Sequence, residues 1–454
     1  MRPMRNVSFA VLALLLGFPL AGQAAEMQML PAHEQAGVAS CPASADWFKP
    51  NAPEANFVLP DVNCAFHQWA VQEFLYLVQT ENGLARFLNM ASPHALFLYQ
   101  GDGPAPYPGS SLTQFKLGAG MARLQAGNGQ SNDAGRVVFL PRTLKTPNST
   151  FDANTQAGSN AVLVDQQKQV VYYTSQINRA YYDFIRNNKY YNKIPYASMP
   201  AATAFDLGSV EVKSSWRVAV KDGVEYMNKT TRADYYTVEG DVCKDKDCKS
   251  LVPATMALVG LHVVGRVKDH PEMVWATFEH HANAPDCIST PFPSGGLSFY
   301  TPGQNCGKKP FWDGCNQIRK DDWTTPSQIC RVHPDGEPAT AENIANITSI
   351  KISYDKLVPS TSVWKNYSYA SAVWTTPLTD PPTTLISLSD ANIKGSKKAS
   401  NTSMESFTQE KNCLHCHTYQ PTQISGNCFP AGNKNIYLSH LVGLICDQKP
   451  QPKK

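Results

Sequence analysis

The 454-residue sequence contains no G-x-G-x-x-G, no P-loop, no H-E-x-x-H and no G-x-S-x-G. Each absence removes a chemistry that needs those residues at that spacing: dinucleotide binding, phosphate cradling, zincin hydrolysis and elbow-serine acyl transfer. HEQAG, beginning at His33, lacks the second histidine of a zinc-binding helix. Net charge is also scarce. Lys+Arg number 40 against 37 Asp+Glu, a formal +3, and Arg2 and Arg5 sit in what reads as a removable leader. Without them about +1 remains, so no basic excess exists to displace counterions from phosphate, and nucleic-acid binding by bulk charge is excluded. Charged residues make up 17% and hydrophobic ones 42%, too apolar for a disordered chain and too ordinary for a membrane protein. No repeat recurs at periods of about 20–50 residues. The length suits two to three domain-sized units.

The first residues do carry an apolar run. Arg2 and Arg5 form a basic start, Val7 to Leu20 an apolar stretch, and Gly22 and Ala24 fit the small positions before a signal-peptidase cut. Residues 1–24 are therefore expected to be a signal peptide that sends the chain to the periplasm. The stretch is shorter than a spanning helix needs, and no second long one follows, so no integral membrane span is expected in the mature chain.

Residues 25–390 read as one body. Phe66, Trp69, Ala70, Phe74, Leu77 and Val78 recur at helical spacing over 64–80, and Ile177, Ala180, Tyr181, Phe184 and Ile185 do so over 176–188. Residues 162–174 suggest two short strands around a polar turn. Val210, Val212, Ser214, Trp216, Val218 and Val220 alternate, which predicts a half-buried strand. Residues 256–267 are almost continuously apolar, 273–281 alternate, and 347–354 and 363–374 look like further strands. Strands in sequence without regular helices between them favour antiparallel pairing. The expected fold is α+β: a mainly antiparallel sheet body with N-terminal helices, a disulfide-tied excursion near 284–340, and a short helical haem-binding segment over 391–454. That last segment carries eight lysines against Glu405, Glu410 and Asp447. This reads as a solvated linker and end, or as a docking face for an acidic partner.

Residues 413–417 are Cys-Leu-His-Cys-His. C-x-x-C-H is the attachment spacing of c-type haem. Positions i and i+3 of a helix share a face, so Cys413 and Cys416 can form thioethers to one macrocycle. His417, at i+4 from Cys413, can reach the iron as proximal ligand. Two other readings use the same residues: a zinc site of Cys413 and Cys416 with Cys428 or Cys446 and a histidine, or a disulfide scaffold. Export favours the haem. One motif implies one covalent haem c. Thr402 followed by Glu405 fits a capping box, which predicts a helix from about 403.

The distal position is open. No methionine follows Cys413, so part of the haem wall must come from the body. Met404 could present its sulfur from a chain that turns back. His440 could close over the iron. His262 or His280 could reach in from the sheet, although His280 shares a face with Val274, Ala276 and Phe278, as a buried, hydrogen-bonded histidine would. The iron could also be five-coordinate. Met/His ligation suits electron transfer, and an open iron permits catalysis. Glu279, His280 and His281 could hold a metal or act as an acid/base pair, with a structural role the plainer reading.

Ten cysteines remain after Cys413 and Cys416. An even number in an exported chain predicts up to five disulfides. Proximity suggests Cys243–Cys248, Cys306–Cys315 and Cys428–Cys446, then Cys41–Cys64 and Cys287–Cys330.

Taken in order, VDQQKQVVYYTSQIN, VEVKSSWRV, GLHVVGRV, VWATFEHHANAPD and NTSMESFTQEKNCLHCH resemble a family of exported bacterial monohaem cytochrome c family proteins, over about residues 160–445. The resemblance implies one covalent haem on Cys413 and Cys416 with His417 proximal. It implies no substrate. It places a methionine at position 404 and more often an apolar residue at position 440. Function classes that follow are one-electron transfer to a redox partner protein, a haem-dependent oxidoreductase with substrate held near Glu279–His281, or a small-ligand sensor with an open distal site.

Overall fold

A computed structural model of the chain describes residues 40–97, 99–100, 103–104, 106–107, 137–139, 161–192, 195, 198–200, 202–244, 250–288, 296–304, 306, 314–318, 322–336, 340–383, 389, 391–414 and 417. The leader, Cys416, His440 and the proposed Cys243–Cys248 and Cys428–Cys446 pairs lie wholly or partly outside them.

Among the described residues the chain builds a nine-stranded sheet. Its strands are β1 (Val137–Phe139), β2 (Tyr172–Ile177), β3 (Val210–Lys221), β4 (Val224–Glu225), β5 (Thr237–Cys243), β6 (Leu251–Gly265), β7 (Val274–His280), β8 (Tyr367–Thr375) and β9 (Ile393–Gly395). The main path runs β9-β8-β7-β6-β3-β2, with β5 on β6, β4 on β3 and β1 on β5. Every pairing is antiparallel except β1 with β5. The longest strand, β6, is central: its first half lies between β5 and β3, its second between β7 and β3. That position explains its nearly continuous apolar sequence, since both faces are covered.

Four helices are recorded among the described residues: α1 (Asn63–Leu77), α2 (Arg179–Asn187), α3 (Lys229–Arg232) and α4 (Ala341–Leu357). One face of the sheet is apolar and lies under α1 and α4. Phe74 of α1 stacks on Phe278 of β7 at 4.1 Å and Phe66 on Trp374 of β8 at 4.4 Å. Such offset pairs add about 0.5–1.5 kcal/mol beyond their area burial. α1 is further tied to its entry chain by the Cys41–Cys64 disulfide.

The expected fold class needs correction. Among the described residues the N-terminal region contributes one α-helix, α1, followed by short 3-10 turns at Arg86–Asn89 and Pro93–Phe97, rather than a set of helices. The helical C-terminal haem segment is not seen. Its described part is the edge strand β9 and a run of turns; only Cys413, Leu414 and His417 have helical backbone. The reason lies in the side chains of 401–406. Asn401 Oδ1 accepts from Ser403 N at 2.9 Å, Thr402 N and its hydroxyl donate to Glu279, and Ser406 Oγ donates to Thr402 O at 2.5 Å. Short polar side chains that bond the nearby backbone compete with a helical ladder. Glu405 does reach back to Asn401 N at 2.9 Å, but the capping-type contact starts a turn, not a helix.

Residues 347–354 are helical, inside α4, not a strand. Their β-branched content reads as strand, but burial at Asn343, Ile347, Ile350 and Tyr354 follows the 3.6-residue period. Thr340 caps the helix by accepting from Asn343 N at 3.1 Å. The predicted second helix begins later than 176, because Gln176 and Ile177 complete β2 and Asn178 caps α2. Finally, β3 is buried on both faces over Val210–Ala219, where alternation predicted one. The C-terminal segment meets its second face at Ser215, and Asp165, Gln167 and Ser298 meet it at Arg217.

Candidate functional site

The second face of the sheet is set out in lateral rows. One row is Ser175–Lys213–His262–Thr277, across β2, β3, β6 and β7. The next is Ile177–Glu211–Val264–Trp275–Val373, running on to β8. Over these rows lies the strap, residues 396–414.

The strap is held by hydrogen bonds more than by apolar contact. Tyr173 Oη donates to Ser403 O at 2.7 Å, and the Ser215 and Ser403 hydroxyls meet at 2.6 Å. Asn401 Nδ2 donates to Phe278 O at 2.8 Å and to Thr277 Oγ1 at 3.1 Å. Glu279 takes Thr402 on one oxygen and Arg331 on the other, and Arg331 also binds Asp286. Gln409 donates to Cys330 O at 3.0 Å and accepts from Val332 N at 2.9 Å. The strap is thus bonded both to the sheet and to the disulfide-tied excursion. β6 meets it at Gly260, where a methyl group would run into the side chains of Ser403, Ser215 and Asn401. The site demands glycine for that close approach.

His262 Nε2 lies 3.0 Å from Glu405 Oε1. Burial alone would raise the Glu405 carboxyl; His262, Lys213 and the Asn401 N–H together outweigh it and hold it below the usual carboxylate range.

The strap changes core as it runs. Ala399 packs in the cluster of Val264, Trp275, Val373 and Ile393. Met404 and Phe407 belong to another, with Tyr173, Val259, Phe299 and Ile329. Cys413 and Leu414 return to the first. Asn412 anchors that return: its Nδ2 donates to Lys397 O at 2.6 Å and its Oδ1 accepts from Leu414 N at 2.8 Å. This is the N-cap bond that starts a helical turn at Cys413. The thiol of Cys413 donates to Ala399 O at 3.2 Å. His417, one turn on, places its ring 4.3 Å from that of Trp275.

Of the sequence-predicted site residues, the structure brings Cys413 and His417 to one apolar wall around Trp275. Cys416 and His440 lie outside the described residues. Met404 is buried, 1% exposed, in the cluster that does not contain Cys413. His280 uses both ring nitrogens, on Asp234 O at 3.0 Å and Ala282 N at 3.1 Å. Burial pulls its pKa down to about 3, against the pull of the Asp234 carbonyl. It is a neutral structural histidine. A cleft of about 520 Å³ opens beside β9, between Trp374, Ile393, Lys394 and Lys397 on one side and Asp61 and Glu342 on the other.

Three of the five expected disulfides fall among the described residues, and all three are formed: Cys41–Cys64, Cys287–Cys330 and Cys306–Cys315. The last two are adjacent. The sulfurs of Cys306, Cys315 and Cys330 lie within 4.8 Å of one another, a grouping explained by the two bridges. Among the described residues no helix is long and apolar enough to cross a membrane.

Sequence reasoning missed Lys213, Glu211 and Glu405 as neighbours of the motif. Alternation in VEVKSSWRV put Glu211, Lys213, Ser215 and Arg217 on one face, and nothing in it said that this face would be covered. It missed Asn412 too; the signal was an asparagine directly before the motif, a residue type favoured at N-caps.

No family model, no curated protein and no solved structure matches this chain.

Proposed function

We propose that this chain is an exported c-type cytochrome with one covalent haem, and that it transfers single electrons to a redox partner protein in the periplasm. Cys413 and Cys416 would hold the haem by thioethers and His417 would ligate its iron. Bound there, the haem supplies a one-electron iron couple. The observation that carries the reading is the pairing of Cys413 and His417. Asn412 caps the backbone just before Cys413, the Cys413 thiol donates to Ala399 O, and the ring of His417 lies against Trp275. The donor set fits the group: a sulfur for attachment and an imidazole one turn away, on an apolar wall.

The chain's own residues do the positioning. Asn412 starts the turn, Leu414 anchors it at 0% exposure, and Trp275 sets the ring of His417. Electron transfer is favoured over a haem-dependent oxidoreductase working at 279–281. Glu279 is taken by Arg331 and Thr402, and His280 by Asp234 and Ala282, so both serve structural bonds.

The test is optical. Protein secreted with its leader, in cells able to attach haem, is expected to give a ferrohaem c spectrum in alkaline pyridine that survives acid–acetone extraction. Cys413→Ala and Cys416→Ala together are expected to abolish it. A wild-type protein without that spectrum would overturn the reading. A ferrous spectrum that shifts under CO would replace electron transfer by an open-site function.

A further inference from the structure

In the excursion two disulfides lie side by side. Cys287–Cys330 and Cys306–Cys315 are each formed, and the sulfur of Cys330 lies within 4.8 Å of the sulfurs of both Cys306 and Cys315. The two bridges account for the cluster without a metal. Their adjacency adds what a lone bridge lacks: a second disulfide within reach of a freed thiolate.

Exposure divides the cluster into an entrance and an interior. Cys306, Cys315 and Cys330 are 0% exposed, whereas Cys287 is half-buried. A thiol from outside therefore meets the outer bridge at Cys287, and the inner bridge is shut off from solvent beside Tyr300. Cys330 stands between them with its backbone held. Asn316, itself buried, accepts from Cys330 N at 3.1 Å through Oδ1 and donates to Cys330 O at 3.1 Å through Nδ2. Gln409 of the strap donates to the same carbonyl at 3.0 Å. The main chain is fixed, and the side chain keeps the rotation that carries its sulfur from one partner to the next. Asn316 Nδ2 also lies 3.8 Å from Cys330 Sγ and 4.0 Å from Cys287 Sγ. A donor N–H thus faces the sulfur that becomes an anion when the outer bridge opens, and a hydrogen bond to the charged form favours it.

We propose that this cluster is a thiol–disulfide exchange centre: Cys287–Cys330 accepts two electrons from an external dithiol, and Cys330 hands them on to Cys306–Cys315. A donor thiolate attacks Cys287 Sγ, forms a mixed disulfide and releases Cys330 as thiolate. The donor's second thiolate attacks the donor sulfur of that mixed disulfide, leaves as an oxidised donor and releases Cys287 as thiolate. Cys330 Sγ then attacks one sulfur of the inner bridge, bonds to it and releases the other. Cys287 attacks Cys330 Sγ, restores the outer bridge and releases the second inner thiolate. Two electrons and two protons pass from the donor to Cys306 and Cys315, and Cys287–Cys330 ends as it began. The centre does not depend on the haem reading.

The test uses the full-length mature protein, natively folded, with dithiothreitol as the donor. Samples are quenched in acid, alkylated and mapped by peptide mass spectrometry. In the wild type, free thiols are expected at Cys306 and Cys315 while Cys287–Cys330 is still bridged, with Cys330 linked to Cys306 or Cys315 among the trapped species. In a folded Cys287→Ser/Cys330→Ser double variant the inner bridge loses its route, and its reduction is expected to slow about tenfold or more, since access governs exchange at a buried sulfur. Cys287→Ser alone leaves the Cys330 thiol beside an intact inner bridge, so exchange needs no reductant. The crossed link from Cys330 to Cys306 or Cys315 is then expected in the protein as purified. Reduction of Cys306–Cys315 at an unchanged rate in the folded double variant would overturn the proposal. So would the absence of any crossed link from both the wild type under dithiothreitol and Cys287→Ser. Where the double variant does not fold, the crossed links decide alone.

Discussion

The two faces of the central sheet are built from the same strands and closed by opposite means. Under α1 and α4 the closure is apolar: Phe66, Trp69, Phe74, Trp216, Phe278 and Trp374 are each 2% exposed or less. Under the strap it is polar. Lys213, Ser215, His262, Thr277 and Glu279 are each 7% exposed or less, and most are tied by directed bonds. Area burial is non-directional and tolerates small shifts, whereas a hydrogen bond loses most of its value when misaligned. The first face therefore supplies bulk stability. The second fixes where one stretch of chain lies, and that stretch ends in the motif.

The comparison can be broken from either side. On the apolar face, Phe74→Ala removes a fully buried ring stacked on Phe278. It is expected to cost about 3–5 kcal/mol in urea unfolding, with the strap's protection falling only as the whole protein unfolds. On the polar face, Arg331→Met leaves Glu279 buried without its cation. The expected loss is about 3 kcal/mol. Here local proteolysis within 399–412 should appear well before global unfolding. Equal protection of strap and α1 in that variant would refute the division of labour. Gly260→Ala pushes on Ser403 and Asn401 from below. About 1–3 kcal/mol is expected, read as faster amide exchange at Met404 and Glu405 while α1 is unchanged.

Acid should act on the apolar side, where both buried neutral histidines lie. His280 is buried neutral, with a folded pKa near 3 against an ordinary 6.5. His67, on the buried side of α1, is held near 4, with burial again the leading cause. Between those values and 6.5 the unfolded chain binds more protons than the folded one. Stability is therefore full above about pH 6.5 and declines as pH falls toward 3. His280→Asn is expected to flatten part of that decline in a pH series of urea midpoints; an unchanged slope would contradict it. The smallest effect belongs to Ile352→Gln. This residue is 47% exposed on α4, and a change within about 0.5 kcal/mol is expected.

Much of the apolar face could be read from spacing alone. The recurrence of Phe66, Ala70, Phe74 and Leu77 marks α1, and the alternation of Val210 to Val218 and Val274 to Phe278 marks β3 and β7. The sheet's antiparallel pairing followed from the lack of intervening helices. α4 was misread because Ile347, Ile350 and Ile352 favour strands locally, and packing on α1 decided otherwise. The polar face could not be read in the same way. Its contacts join Ser215 to Ser403 across 188 positions and Tyr173 to Ser403 across 230. No local period reports a partner that distant. Of the site itself, C-x-x-C-H gave Cys413 and His417, because its chemistry is local. Trp275, Lys213 and Glu405 are contributed by strands and turns far away in sequence.

Those same separations bear on the order of assembly. The seat of the strap is made of β2, β3, β6 and β7 together, so it does not exist until the sheet is paired. The strap, without a helix of its own, gains little order beforehand, and loop closure over such distances is entropically late. The strap is therefore expected to stay accessible while the sheet pairs, and to be seated only once the rest has folded. Its docking would then act as a latch that closes over a finished sheet.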